Sequence, residues 1–291
     1  MEAPTDPQFT LRADWLGLCR RALGRVESML ADTDDRAERT GTRGEGGDLS
    51  LVIDRAAEDA ILAEIEALGL PVCVVTEERG QVTIAGGGPV RVVIDPIDGS
   101  LNARRRLPLY SVSVAVAGGT SMADVEFGWV HHLETGEEWW ARRGEGAHLD
   151  DERVEALGGE REFEILGLES ANPRIVAACA DQLAATGARR LRAMGSIALS
   201  LAWVAGARFD AMLSLYDCRS VDAAAGQLIV REAGGMVSFP DAGERLSEVP
   251  LDLDMRSRVA AAVNSEILDV VLGAMPAAPP ERTPSTPAAG A

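Results

Sequence analysis

The sequence predicts a chain that is α+β in its first half and α/β in its second. Three observations carry this. Short apolar strands crowd residues 72–149 with little helix between them, as in antiparallel sheet. From about residue 163 strands and helices alternate. The N-terminal segment carries apolar residues at helical spacing. A length of 291 residues suits one large domain or two fused layers. The change of rhythm divides it into an N-terminal half over 9–155, a C-terminal half over 156–275 that completes the site, and a tail over 276–291.

Taken in order, residues 1–8 are a polar, proline-containing lead. Leu11, Trp15, Leu18, Ala22, Val26 and Met29 then predict one amphipathic helix. Residues 36–47 are charged and glycine-rich, so a mobile loop is expected. Asp54 opens a second helix with Ala57, Ile61, Ile65 and Leu68 on one face; read alone, it is an N-cap. Strands are expected at 72–76 and 90–95, with Pro96 ending the second ladder in a turn. Residues 110–118 alternate as a half-buried strand should, and further strands fall near 124–130 and 137–149. The alternating half predicts elements at 163–168, 174–186, 196–205, 209–215, 221–233, 236–239, 258–263 and 265–274. The tail from Pro276 has too little apolar content to pack and is expected to be disordered.

Composition removes several functions. A formal charge of −18 argues against nucleic acid as a partner. All 28 basic residues are arginine, which excludes Schiff-base and pyridoxal chemistry and Walker-type nucleotide loops. Cys19, Cys73, Cys179 and Cys218 lack C-x-x-C spacing and read as free thiols, those other than Cys218 among apolar neighbours. No run approaches the ~20 apolar residues of a membrane span. Arg12, Asp14, Arg20 and Arg21 make the N-terminal segment unlike a signal peptide, so a cytoplasmic location is expected. His131 and His132 point to opposite faces of a strand, cannot share an ion, and with His148 are expected at the surface. Trp139-Trp140 reads as hairpin packing. Cys19-x5-Arg25 has the bare spacing of a tyrosine phosphatase but lies within a helix, and Asp252-Leu253-Asp254 has no apolar strand leading into it. No G-x-S-x-G elbow is present.

The chemistry concentrates in Val92-Val93-Ile94-Asp95-Pro96-Ile97-Asp98-Gly99-Ser100. An apolar strand ends by presenting two carboxylates, and the Ile97 carbonyl can join them. Hard oxygen donors of this kind suit Mg²⁺ or Mn²⁺ rather than zinc. Gly99 and Ser100 offer backbone N–H groups where a helix could begin, a place that favours phosphate. A second apolar strand, Val72-Cys73-Val74-Val75-Thr76, ends in Glu77 and Glu78, and Asp222 sits near the start of an apolar helix.

These acids, in this order, resemble the inositol monophosphatase family of Mg²⁺-dependent, lithium-sensitive phosphatases, whose superfamily includes fructose-1,6-bisphosphatases and bisphosphate nucleotidases. The resemblance runs from about residue 10 to 274 and rests on Asp95-Pro96-Ile97-Asp98-Gly99-Ser100-Leu101-Asn102, the Glu77-Glu78 pair, and Asp222-Ala223-Ala224-Ala225-Gly226 with Glu232-Ala233-Gly234-Gly235. It implies a five-layer α-β-α-β-α sandwich and a homodimer. It implies that Glu77, Asp95 and the Ile97 carbonyl hold one Mg²⁺ and that Asp95, Asp98 and Asp222 hold a second, with a weaker third ion near Glu77 and Mn²⁺ as a possible substitute. The implied catalytic residues are Asp54, Glu77 and Ser100, with Asp54 and Ser100 orienting the attacking water. Gly99 and Ser100 would hold the phosphate, and Gly195 and Ser196 would contact the rest of the substrate.

Some positions depart from the pattern. Ser100 replaces the commoner threonine and keeps the hydroxyl. Arg43 could stand for a loop lysine of the family, or no residue does. Leu215 and Val221 stand where animal-type members have a carboxylate and a tryptophan, so the chain looks more like archaeal-type members that accept inositol phosphates and fructose 1,6-bisphosphate. Arg219 could bind a second phosphate or lie at the surface. The alternatives are a 3′(2′),5′-bisphosphate nucleotidase, a histidinol-phosphate phosphatase, or a non-catalytic partner-binding relative.

Overall fold

The computed structural model describes residues 6–32, 39–43, 49–156 and 162–276, with the side chains of 6–28 and of residues from 52 onward. Helices α1 (Pro7–Leu11) and α2 (Trp15–Asp32) precede an antiparallel pair, β1 (Arg39–Arg43) and β2 (Leu49–Leu51), and helix α3 (Val52–Leu68). Then come β3 (Val72–Thr76), β4 (Gly80–Ile84), β5 (Arg91–Asp98), the short helix α4 (Ser100–Arg105), β6 (Ser111–Ala117), β7 (Val125–His132), β8 (Glu138–Arg142), β9 (Gly146–Leu149) and β10 (Glu152–Val154). The rest comprises β11 (Ile165–Glu169), α5 (Pro173–Ala178), α6 (Ala180–Ala185), β12 (Arg190–Arg192), α7 (Ile197–Ala205), β13 (Ala211–Ser214), α8 (Ser220–Glu232), β14 (Met236–Ser238), β15 (Ala260–Ala262) and α9 (Ser265–Gly273).

Strands β3–β10 form one sheet in the order β10-β9-β8-β7-β6-β5-β3-β4, antiparallel except for the parallel β3–β5 pair. The second sheet, β12-β11-β13-β15-β14, is mixed. Helices α2 and α3 cover one face of the first sheet, burying Trp15, Leu18 and Ile61 against Val74, Ile94 and Phe127. Helices α7 and α8 lie between the sheets, and α9 packs on β13, β14 and β15. The layers are therefore α-β-α-β-α, and the middle core joins Val75, Val93 and Ala115 to Leu213 and Ala261.

The structure alters several expectations. The first helix is two, because Arg12 caps α1 and Asp14 accepts the Gly17 N–H at the start of α2. Residues 39–43 and 49–51, expected within or beside an irregular loop, pair as strands. The rest of that loop, the Arg43 side chain and the tail from 277 lie outside what is described. Helix α3 starts at Val52, so Asp54 sits in its first turn and not at the cap. Strand β5 continues past Pro96, because its register against β6 slips by one residue between Asp95 (opposite Ser113) and Asp98 (opposite Ser111); such a bulge tolerates a residue without an N–H. The helix expected over 174–186 breaks at Cys179.

Coverage of both sheet faces explains further differences. Strand β6 is buried along its whole length because α8 lies on the face expected to meet water. His131 and His132 are buried for the same reason rather than exposed. His131 stacks on Trp129, while His132 pairs with the Pro108 carbonyl at 2.9 Å and the Thr135 hydroxyl at 2.6 Å. His148 stacks on Trp140 with centroids 4.0 Å apart. All four thiols are free; Cys218 is buried, and Cys73 is the half-buried one. Among the described residues no helix is long and apolar enough to cross a membrane.

Helix α8 reaches the first sheet at Gly128 of β7, where an added Cβ would lie 2.7 Å from the Ala225 carbonyl oxygen and 3.1 Å from its Cα. Both are backbone atoms and cannot rotate away. Gly128→Ala should therefore force helix and sheet apart, at a cost of about 1–3 kcal/mol. A lowered melting temperature in thermal unfolding is the expected result.

Candidate active site

Two strand ends and two helix starts converge at one end of the first sheet. Glu77 follows β3, Asp95 and Asp98 close β5, Asp54 lies in the first turn of α3, and Asp222 in the first turn of α8. Carboxylates in a helix's first turn are favoured by its dipole. Gly99 follows with φ +95°, a conformation that suits glycine, and a Cβ there would come within 3.0 Å of the Leu109 oxygen and 3.1 Å of the Gly195 oxygen. That residue turns the chain from β5 into α4 and brings Ser100 to the same cleft.

The cleft has a volume of about 310 Å³. All five acids line it, as do Ile97, Gly99, Ser100 and Arg219. Arg219 is thus an element of the site, not a surface residue. Its Nη1 donates to Glu77 Oε1 at 2.8 Å and its Nη2 to Asp222 Oδ1 at 3.3 Å, while its backbone N–H donates to Asp222 Oδ2 at 2.7 Å. The Ser100 hydroxyl donates to the Ile97 carbonyl at 2.9 Å, which leaves its oxygen able to accept. Gly195 and Ser196 do not line the cleft. Ser196 stands behind Asp98, donating to its Oδ2 at 2.6 Å, and the Ala198 N–H donates to the same atom at 2.7 Å.

The electrostatics are those of crowded anions. Burial, then the charges of Glu77, Asp98 and Asp222, push the Asp95 carboxyl well above the usual carboxylate range. Burial and Asp222 push Asp98 up to about 8, despite the hydrogen bonds from Ser196 and Ala198. Burial opposes the Arg219 charge, but Asp222 and Glu77 outweigh it and raise its pKa. Five carboxylates and one guanidinium line the cleft, so its lining carries an excess of formal negative charge.

The donor set fits hard cations. It consists of oxygens alone, and Asp95 Oδ1 is buried with no hydrogen-bond partner among the described residues. Among those residues no three acids, histidines or cysteines are gathered as tightly as in a preformed ion cage. Arg219 instead bridges Glu77 and Asp222.

Three contributors were not singled out from sequence. Leu101 lines the rim and is 59% exposed, and an exposed leucine gives no signal. Glu58, fully buried one turn beyond Asp54, accepts the Arg79 N–H at 3.2 Å and so braces the turn carrying Glu77. Burial raises its pKa. Glu169 ends β11 and lies behind the Gly195 turn. It closes an apolar strand as Asp98 does, which was the available signal.

Comparison with known proteins agrees with this architecture. A solved Pyrococcus horikoshii protein described as similar to inositol-1 monophosphatase superposes with a TM-score of 0.72 at 26% identity, covering 92% of this chain and 99% of its own. A Methanothermobacter thermautotrophicus protein named fructose-1,6-bisphosphatase/inositol-1-monophosphatase is 34% identical over 89% of this chain and 95% of its own length. A Haemophilus influenzae protein named Nus factor SuhB is 32% identical over 78% of this chain and 86% of its own. The class is thus that of layered α/β phosphatase-type folds with an acidic cleft. The model of the inositol monophosphatase family matches residues 15–277, and the chain belongs to that family.

Crowded carboxylates should make the cleft a stability liability when no cation is bound. The folded-state pKa of Asp98, about 8, lies above its ordinary 3.8. Its protonated form is therefore favoured by folding. The resulting stability is fully present below about pH 4 and lost as pH rises through 8. In chelator, Asp98→Asn should melt above wild type at pH 8 and differ little near pH 4. Thermal melts at the two pH values check this.

Proposed function

We propose that this chain, a phosphoric monoester hydrolase by its family, removes phosphate from a small phosphorylated polyol or sugar, inositol monophosphate and/or fructose 1,6-bisphosphate. The observation that carries the reading is the convergence of Asp54, Glu77, Asp95, Asp98 and Asp222 with the Gly99–Ser100 turn on one cleft of small-molecule size. A relative carrying both activities in its name supports the substrate class. Leu215 and Val221 are both buried in the core between the sheets. That also supports a pocket without the inositol-gripping carboxylate of animal-type members.

Glu77, Asp95, the Ile97 carbonyl, Asp98 and Asp222 would hold two Mg²⁺ ions, with a third near Glu77 and Mn²⁺ as a substitute. Bound there, the ions would neutralise phosphate oxygens, lower the pKa of the attacking water and stabilise the departing oxygen. The protein's own groups orient the reactants. Backbone N–H groups of Gly99 and Ser100 meet the phosphate at the start of α4. Ser100 Oγ, its proton committed to Ile97, accepts from water, and Asp54 takes up the developing proton charge across the cleft. Arg219 lies where it could meet a second phosphate once cations engage Glu77 and Asp222. Ser196 acts through its hydrogen bond to Asp98 rather than on the substrate, and Gly195 forms the turn before it.

The same reading takes the enzyme as a cytoplasmic homodimer. Four free thiols support a reducing compartment, and exposed Leu101, Leu107 and Leu191 offer apolar surface to a second copy.

Phosphate release with Mg²⁺ across inositol 1-phosphate, fructose 1,6-bisphosphate, 3′-phosphoadenosine 5′-phosphate and histidinol phosphate tests the substrate class. The first two should be preferred. Asp95→Asn should lower kcat/KM by roughly a thousandfold, the upper end of what losing one transition-state-stabilising group costs, and full activity in EDTA would refute the reading. Ser100→Ala should lower kcat with KM nearly unchanged, since its contact with water matters mainly in the transition state. A steady-state comparison on the preferred substrate decides; a KM effect alone would make Ser100 a binding group.

A further inference from the structure

Glu169 is 1% exposed and has no ion-pair partner among the described residues. Burial pushes its carboxyl up to about 7. A buried acid without a cation costs free energy unless its oxygens are satisfied by donors. Here every donor comes from one stretch of chain. Oε2 accepts the Gly195 N–H at 2.8 Å, and Oε1 accepts the Ser200 hydroxyl at 2.6 Å and the Met194 N–H at 3.3 Å. The Asn102 amide, from α4, donates to the Met194 carbonyl at 2.7 Å and closes the other side of the turn.

The next residues along that stretch hold Asp98. The Ser196 hydroxyl and the Ala198 N–H both donate to Asp98 Oδ2, which leaves Oδ1 as the oxygen available to the cleft. The carboxylate that ends β11 is thus linked to the carboxylate that ends β5 through one segment, residues 194–198.

We propose that Glu169 is a positioning residue for cation binding: it fixes the 194–198 segment so that Ser196 and Ala198 hold Asp98 with one oxygen presented to the cleft. This rests on the reading of Asp98 as a cation ligand. Glu169 touches neither substrate nor cation and acts through the turn. Groups that orient a ligand carboxylate in this way typically change metal affinity about 10–100-fold when lost.

The test is calorimetric titration of MgCl₂ into the full chain. Glu169→Gln keeps the size but presents an amide NH₂ to N–H donors. It and Ser196→Ala should each weaken Mg²⁺ binding by about tenfold or more, and the double variant should be no weaker than the worse single one, because both act on one link. A Glu169→Gln protein that melts lower but binds Mg²⁺ as wild type does would overturn the proposal, as would additive effects. If Glu169→Gln does not fold, Ser200→Ala runs the same cycle, with about a two- to threefold loss expected that vanishes in the Ser196→Ala background; a null or additive result there overturns it equally. Asp98→Asn separates the two levels. If that variant binds Mg²⁺ undiminished, the reading of Asp98 as a cation ligand fails; if it loses affinity while Glu169→Gln does not, only the positioning role fails.

Discussion

Holding several carboxylates together in a poorly solvated cleft is the constraint on which this structure turns. Like charges at such separations repel strongly where water is scarce, and the fold must supply the restoring force. It does so by ending the acids' own elements at the cleft. Strands β3 and β5 are neighbours in the first sheet, and α8 starts at the cleft, with Asp222 in its first turn, and then packs across that sheet. Arg219, one turn of backbone from Asp222, bridges it to Glu77 and offsets part of the repulsion. The middle helical layer is therefore more than filler between sheets, since moving α8 would move an acid.

Glu77, Asp95 and Asp98 stood out in the sequence because each follows or closes an apolar strand, whereas Asp54 and Asp222, helix caps when read alone, were joined to them by the family resemblance. Strand β3 was readable residue for residue from its apolar run. What could not be read depends on what lies across a layer. His131 and His132 look like exposed strand residues until α2 and the middle helices are known to cover both faces of β7. The Pro96 position reads as a chain stop, yet the partner strand absorbs it with a one-residue slip. Ser196 was placed near the substrate, and its side chain instead turns to Asp98. The Arg219 direction is not readable from its own position in the sequence; in the fold its guanidinium turns to Glu77 and Asp222.

The division between reaction centre and specificity follows from the same layering. The centre is built from backbone turns and acids at element ends, where geometry is set by the largely buried strands β3 and β5. The surrounding rim is contributed by α4 and its exposed Leu101, which a different chain could vary without disturbing the acids. Relatives bearing names as different as a sugar bisphosphatase and a Nus factor match this chain at similar identity.

The slip at Pro96 has a consequence for how this site can change in evolution. In an uninterrupted strand, residues three apart project to opposite sides, and only an even spacing returns a side chain to its starting side. Asp95 and Asp98 are three apart, yet their partners Ser113 and Ser111 are two apart. The extra residue converts odd spacing into even, and that conversion lets both acids serve one cleft. Parity is therefore part of what assembles the cleft. A one-residue deletion between these aspartates that regularised the strand would leave their identities intact while changing which β6 residue stands opposite Asp98 or how it faces, and no side-chain substitution elsewhere could restore it. A change of chain length between these aspartates would therefore disturb the cleft even with both acids in place.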